Sequence, residues 1–455
     1  MVALSIHTKN RLVFLFVLSI FIFATFPGKG GLEGDQREIL NLKDRNDNWG
    51  IVVPLFVGEW PNILGHWRFS LVLFQLSLYW IGLWLIFEKR FAISKKPLII
   101  LSQALFFLVS SIFVSQLWRD STLLAIATFA LGLIYESLRM RPRFRRTLLV
   151  TSVMLLHIAA MFKVLYGPIL ALYFLWVALE GNLKNKFRNI GVMLISFSLA
   201  ISPFLLDRTL VNKVGLQRVY PEQQPMIFDL ASNYCWGQSD QLIENAKSGL
   251  LLVIKSDFPI QSICASLKPN SWDNLHTDYS PWQFSAPIQR IVGDDNLKVT
   301  SLRNKWLKMI IDNPVDWFHV RLMYLGWTLS LSNSFVPQNA SNTWDGPIGD
   351  ANRMIWSLLF SVASIVDKFR LTSLLFSFLL IIFFLIKNAS HEKLKNRSYF
   401  KRNSDLFFTT LSLSATTLLT MIFFVASNGR YVLPYITISY ALLFRSRNLR
   451  SPIQV

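Results

Sequence analysis

The sequence predicts an all-α polytopic membrane protein of about ten transmembrane helices, with a large external loop domain and interfacial helices. Three observations carry that prediction. Of 455 residues, 52% are apolar and only 16% charged, where a soluble domain has nearer a quarter charged. Thirty-seven Phe and 15 Trp with a mean hydropathy of +0.39 fall in long uncharged blocks instead of alternating with polar residues. The Lys and Arg sit between those blocks, so the net charge of +19 does not mark a nucleic-acid surface, which needs its cations gathered on a water-exposed face. No nucleic-acid partner is expected. No 20–50-residue repeat, heptad run, Walker, GxGxxG, HExxH or CxxC pattern is present.

The uncharged stretches are residues 12–28, 69–87, 97–118, 121–135, 147–162, 164–179, 189–206, 371–386, 406–429 and 431–444. A helix crossing about 30 Å of hydrocarbon needs roughly 20 residues, so flanking Trp, Tyr, Lys and Arg extend the shorter ones by snorkelling. The first stretch follows Lys9 and Arg11 like a signal peptide. It ends in Phe23-Ala24-Thr25-Phe26-Pro27 without a small-x-small cleavage site, which favours an uncleaved first helix. The expected division is a first transmembrane helix in residues 1–27 and an external first loop in 28–68. Helices two to seven then occupy 69–206, an external domain with interfacial helices 207–370, and helices eight to ten with a cytoplasmic tail 371–455.

Orientation follows from the cations in the short connections. With both termini cytoplasmic, the inside segments are residues 9–11, 89–96, 139–146, 184–188, 387–402 and 445–450. With their flanks they hold 23 basic residues against five acids, leaving 23 against 22 for everything outside. The apolar stretches 317–331 and 354–366 resemble a membrane hairpin, but the connection 332–352 contains no Lys or Arg. Both are therefore expected outside, lying along the interface. The external domain mixes a strand-like run at residues 250–254 with a helical one at 304–311. It also holds the only two cysteines, Cys235 and Cys264. These either pair, in an oxidising compartment, or stand as two unrelated buried thiols; no His or second Cys pair gives them metal-ligand spacing.

Ionisable groups near a membrane interface are costly and therefore informative. Glu33-Gly34-Asp35 in the first external loop offers a carboxylate able to take a proton from an attacking hydroxyl, beside a glycine that admits close backbone approach. Simple solvation is the competing reading, and Asp44, Asp47 and Glu59 compete for the role. Arg119-Asp120 lies in the short external turn between the third and fourth helices, either as a site or as an ion pair capping the helix that starts at Ser121. Lys163, Arg321 and Arg430 are cations at the outer interface, either binding a phosphate or snorkelling. The stretch from Trp272 to Trp282, with His276, Asp278 and Tyr279, suits either a sugar ring or an ordinary core with Trp anchors.

The order of these parts resembles bacterial glycosyltransferases of the C-type fold, and within them relatives of the dolichyl-phosphate-mannose and aminoarabinose transferases. The matching segments are Gly34-Asp35, residues 73–80 (LFQLSLYW), Trp118-Arg119-Asp120, residues 229–231, residues 313–321 (NPVDWFHVR) and Arg430-Tyr431. The resemblance implies a sugar donor on a polyprenyl phosphate and inverting transfer to a glycan, lipid or protein hydroxyl at the outer face of the bacterial inner membrane. It implies Asp35 as base with Glu33 as substitute. Asp120 would position the acceptor or a divalent metal such as Mg or Mn, and Lys163, Arg321 and Arg430 would hold the leaving phosphate. This chain departs from the family in reading Gln36-Arg37-Glu38 after the acid, Glu59-Trp60-Pro61 instead of a later His-Pro pair, and Lys163 where relatives tend to have Arg. Two other classes compete: a polymerase or ligase of lipid-linked glycans, and a non-enzymatic transporter or scaffold.

Overall fold

The computed structural model describes residues 52, 67–87, 106–107, 110–111, 113–114, 119–137, 140–163, 166–180, 186–214, 220, 222–267, 275, 287–293, 295–329, 361, 365, 410–415 and 433–447. Helices account for nearly all of them, and among the described residues no strand forms beyond the isolated bridge Ile254 to Ile288.

The first group comprises α1 (Trp67–Phe87), α2 (Arg119–Ser137), α3 (Pro142–Phe162), α4 (Gly167–Glu180) and α5 (Lys186–Val214), joined by the C-terminal α11 (Leu433–Arg447). They form one apolar core. Three stretches are long and apolar enough to cross a bilayer: Ser70–Phe87, Pro142–Phe162 and Ile190–Val214. The expectation of about ten crossings is therefore met by three among the described residues, with Gly167–Ala178 a shorter apolar helix. The predicted crossings at residues 12–28 and 371–386, and most of 97–118 and 406–429, lie outside the described residues.

Helix α2 is buried on every side, with Ser121, Thr122, Thr128 and Asp120 among its buried residues. A helix apolar or neutral all round belongs in the centre of a bundle, and α2 packs on α1, α3, α4 and α11. Its contact with α1 is a crossing of small residues: a Cβ on Gly82 would lie 2.6 Å from the Phe129 backbone nitrogen, and one on Gly132 would lie 2.8 Å from the Gly82 carbonyl oxygen. Such crossings suit membranes, where association depends on close packing instead of water exclusion. The buried Gln75 side chain of α1 also donates to Thr122 Oγ1. Helix α5 presents the opposite face of the problem, with Ile190, Met193, Leu194, Phe197, Phe204 and Leu205 exposed, as a lipid-contacting helix would.

The second group comprises α6 (Gln223–Trp236), α7 (Asp240–Leu250), α8 (Ser262–Ser266), α9 (Asn296–Asp312) and α10 (Pro314–Leu329), which share a separate apolar core. Helices α7 and α9 begin where Ser239 accepts from the Leu242 amide and Asp295 Oδ1 accepts from the Lys298 amide at 3.1 Å, each satisfying a first-turn donor. The two chain segments flanking the cysteines are joined by a Cys235–Cys264 disulfide.

One expectation is corrected, and one expected boundary meets a continuous helix. Residues 250–254 are not a strand: the amides of Val253 and Ile254 both donate to the Leu250 carbonyl at 2.9 Å, so turns continue α7 and only Ile254 bridges. Local i to i−3 and i−4 bonds outweigh the β preference of a short branched run. The boundary at residues 206 and 207 falls inside α5, which continues past Asp207 to Val214 around the internal Pro203. Val211, one helical face further on, is buried against Met161 of α3 and keeps the last turns attached. The helical readings at 304–311 and 317–331 fall within α9 and across α10.

Candidate functional site

Asp120 occupies the first turn of α2 and Lys163 the C-cap of α3. Because consecutive helices run antiparallel, the start of one meets the end of the next, and Lys163 Nζ donates to Asp120 Oδ1 at 2.9 Å with both side chains nearly excluded from water. The carboxylate is also well placed for the helix: a negative charge at an N-terminus is favourable. The ammonium lies 4.9 Å from the centre of the Tyr166 ring, and that ring packs on Tyr435 of α11 with centroids 4.4 Å apart. Tyr173 of α4 donates to the Tyr435 carbonyl at 2.8 Å and meets Ser439 Oγ at 2.9 Å. The pair is thus walled by α2, α3, α4 and α11. The other end of the α2 and α3 hairpin carries Arg141, Arg143, Arg145 and Arg146, one helix length or about 30 Å away.

Two of the sequence readings are thereby altered. Asp120 and Lys163 were separate candidates, but they form one buried pair, because the antiparallel hairpin superimposes positions 43 residues apart. Lys163 is not a lone cation. Among the described residues no group of three or more His, Cys, Asp or Glu is placed to hold a metal ion.

The second polar centre lies in the α6 to α10 group. Asp229, wholly buried on α6, pairs through Oδ1 with Arg321 Nε at 3.0 Å and accepts there from Asn233 Nδ2 at 3.0 Å. Its Oδ2 accepts from the indoles of Trp306 and Trp317, each at 2.7 Å. The Arg321 guanidinium is 5.9 Å from the Trp317 ring centre. Arg321 is therefore not a cation on the outer rim. It is 1% exposed, and its charge is paired inside the core with a carboxylate that also accepts from Asn233, Trp306 and Trp317. Sequence reading missed Asp229 as its partner, although Asp229 and the NPVDWFHVR segment had each stood out; the fold joins Trp317 to Asp229 across 88 positions. Nearby, burial pushes the Tyr324 phenol well above the ordinary tyrosine range, and Gln223 grips the Ile291 backbone twice, donating to its carbonyl and accepting from its amide, both at 2.8 Å.

Asp35, Glu33 and Arg430 lie outside the described residues, as do Trp272, His276, Asp278, Tyr279 and Trp282. Cys235 and Cys264, left open in the sequence, are bonded to each other and join the end of α6 to α8.

No protein-family model matches the chain, and neither a curated protein nor a solved structure matches it.

Proposed function

We propose that the chain is a membrane glycosyltransferase that moves a sugar from a polyprenyl-phosphate donor to an acceptor hydroxyl at the outer face of the bacterial inner membrane, within a C-type fold of about ten transmembrane helices. The observation that carries the reading is the Asp120 to Lys163 pair. It puts an acid and a cation together at one end of the central helices, and the arginine-rich connection at their other end is the cytoplasmic one by the positive-inside tendency. Ionisable groups held in a membrane bundle at the exoplasmic end suit a substrate whose head group is polar and whose tail stays in lipid.

In this reading the Asp35 carboxylate, or Glu33 in its place, accepts the proton of the acceptor hydroxyl. The hydroxyl oxygen forms the new bond to the anomeric carbon from the face opposite the phosphate. The anomeric carbon to phosphate oxygen bond breaks, and its electron pair leaves with the phosphate. Lys163 and Arg430 counter the charge that develops there, while Asp120 accepts a hydrogen bond from the acceptor and is held in place by Lys163. Arg321 has no part, since its charge is used in the core of the other helix group.

The test is transfer in proteoliposomes supplied with polyprenyl-phosphate sugars. Asp35→Asn abolishes transfer without altering the melting profile. If it retains full activity and Glu33→Gln loses it, the base is Glu33; if both variants and Asp120→Asn transfer sugar normally, the reading fails.

A further inference from the structure

The two buried aspartates differ in how their oxygens are filled. Asp229 accepts from Asn233, Trp306 and Trp317 besides its ion pair with Arg321. Asp120 is 2% exposed and, among the described residues, accepts only from Lys163, through Oδ1. A carboxylate has room for several donors, so Oδ2 is left for one that the described residues do not supply. A buried polar atom in that condition calls for an explanation.

A second such atom belongs to Tyr435, in the first turn of α11 and 0% exposed. Its ring packs 4.4 Å from that of Tyr166, which the Lys163 ammonium approaches to 4.9 Å, and its backbone carbonyl is held by Tyr173. The Tyr435 hydroxyl lies beside the Tyr166 phenol and within the field of the Asp120 carboxylate, yet makes no bond of ordinary geometry to either. One polar centre thus holds a donor and an acceptor oxygen that its own side chains leave unfilled. The group that answers both is a hydroxyl, which accepts from the phenol while it donates to the carboxylate; a carbonyl cannot donate and an ammonium cannot accept. Lys163 already cancels the Asp120 charge, which suits an uncharged group in a buried place.

We infer that Asp120 Oδ2 and the Tyr435 hydroxyl form a subsite for a hydroxyl of the acceptor other than the one that attacks, so that the acceptor is a saccharide or another polyol. The inference rests on the transferase reading above. There the attacking hydroxyl gives its one proton to Asp35 or Glu33 as its oxygen bonds to the anomeric carbon, and it has no second proton to donate to Asp120. The bond that Asp120 receives therefore comes from another hydroxyl of the same molecule. Holding that second point decides which hydroxyl is presented to the donor sugar, which makes Tyr435 a specificity-determining residue. A Ser or Thr side chain, with a single hydroxyl, leaves both buried groups unfilled and is rejected on that account.

The full-length protein, in vesicles holding a polyprenyl-phosphate sugar, is offered hexyl glucoside or hexanol, each below the concentration that dissolves the bilayer. Transfer to hexyl glucoside is expected to exceed transfer to hexanol at least about tenfold in kcat/KM, and Tyr435→Phe to lower the hexyl glucoside value about tenfold, mainly through KM, while the hexanol value stays put. Tyr435→Phe should melt no lower than the wild type, since its hydroxyl has no protein partner to lose. Tyr173→Phe, which loses its bonds to the Tyr435 carbonyl and to Ser439, should melt lower. Equal use of the two acceptors by the wild type, or an equal loss on both in Tyr435→Phe, overturns the inference and leaves the transferase reading standing. Binding is read separately and needs no turnover: hexyl glucoside should raise the melting temperature of the wild type and not that of Tyr435→Phe. Equal shifts in the two proteins overturn the subsite even where no sugar is transferred, an outcome that counts against the transferase reading on its own.

Discussion

Arg321 and Asp229 meet inside the α6 to α10 core with Nε and Oδ1 3.0 Å apart and side chains 1% and 0% exposed. The buried carboxylate of the pair also accepts from Trp306, Trp317 and Asn233, which helps to offset its removal from water. Removing one partner costs far more than removing both. Asp229→Ala should therefore destabilise the chain by about 3–5 kcal/mol, read as a lowered melting temperature of the full-length protein in detergent. The double variant Asp229→Leu with Arg321→Met should recover most of that loss. A single variant that melts with the wild type would contradict the pairing.

The pair at the other centre separates stability from activity. Lys163→Met leaves Asp120 charged and buried, and a destabilisation of similar size, about 3–5 kcal/mol, is expected. Adding Asp120→Asn should restore stability while transfer stays absent. Recovery of transfer in that double variant would show that the pair only braces the hairpin.

Close approach of α1 and α2 rests on two glycines. Gly132→Leu or Gly82→Leu must push backbone against backbone, with a Cβ at 2.6–2.8 Å from its neighbour, and overpacking of that kind costs about 1–3 kcal/mol. Gly191→Ala, on α5 with nothing within 4 Å of the added carbon, should instead stabilise by up to about 1 kcal/mol, because Ala is the better helix former. Equal melting shifts at the two sites would refute the crossing.

The disulfide closes a loop of sequence separation 29. On the chain-entropy account such a link stabilises by about 3–4 kcal/mol, so Cys235→Ser with Cys264→Ser should melt earlier than the oxidised protein. The same double variant should be indifferent to reductant, whereas the wild type shifts toward it when reduced.

Alkaline pH gives a further check. Tyr324 is buried, with its hydroxyl bonded to Ser232, and its folded pKa lies above the ordinary value of 10.0. The unfolded chain therefore loses the phenol proton first, so this contribution is intact below pH 10 and declines as pH rises beyond it, by at most about 1.4 kcal/mol per pH unit. Tyr324→Phe should flatten the slope of stability between pH 10 and 12 relative to wild type. An unchanged slope would mean that Tyr324 is open to water.

Helical character and membrane embedding were legible because they depend on composition and on runs of neighbouring residues. Residues 69–87, 147–162 and 189–206 are uncharged runs covered by α1, α3 and α5, each of which holds a stretch long and apolar enough to cross a bilayer. Amphipathic spacing likewise located the helix over residues 304–311. Where alternation was short, as at residues 250–254, local hydrogen bonds to Leu250 decided against the strand, and no pattern of side chains announces that. That α5 runs on past Asp207 to Val214 was not legible either, because Val211 finds its apolar partner, Met161, in another helix.

What the chain determines alone is thus its helical, apolar class and the periodicity of its helices, since each is a sum over neighbours in sequence. Which acid answers which cation was settled only by folding. Lys163 and Arg321 look alike as isolated charges beside apolar helices, yet one joins Asp120 through an antiparallel hairpin and the other joins Asp229 through a core. Burial raises the cost of an unmatched charge so steeply that its partner must be brought by the tertiary arrangement, and a linear order of residues holds no record of that distance.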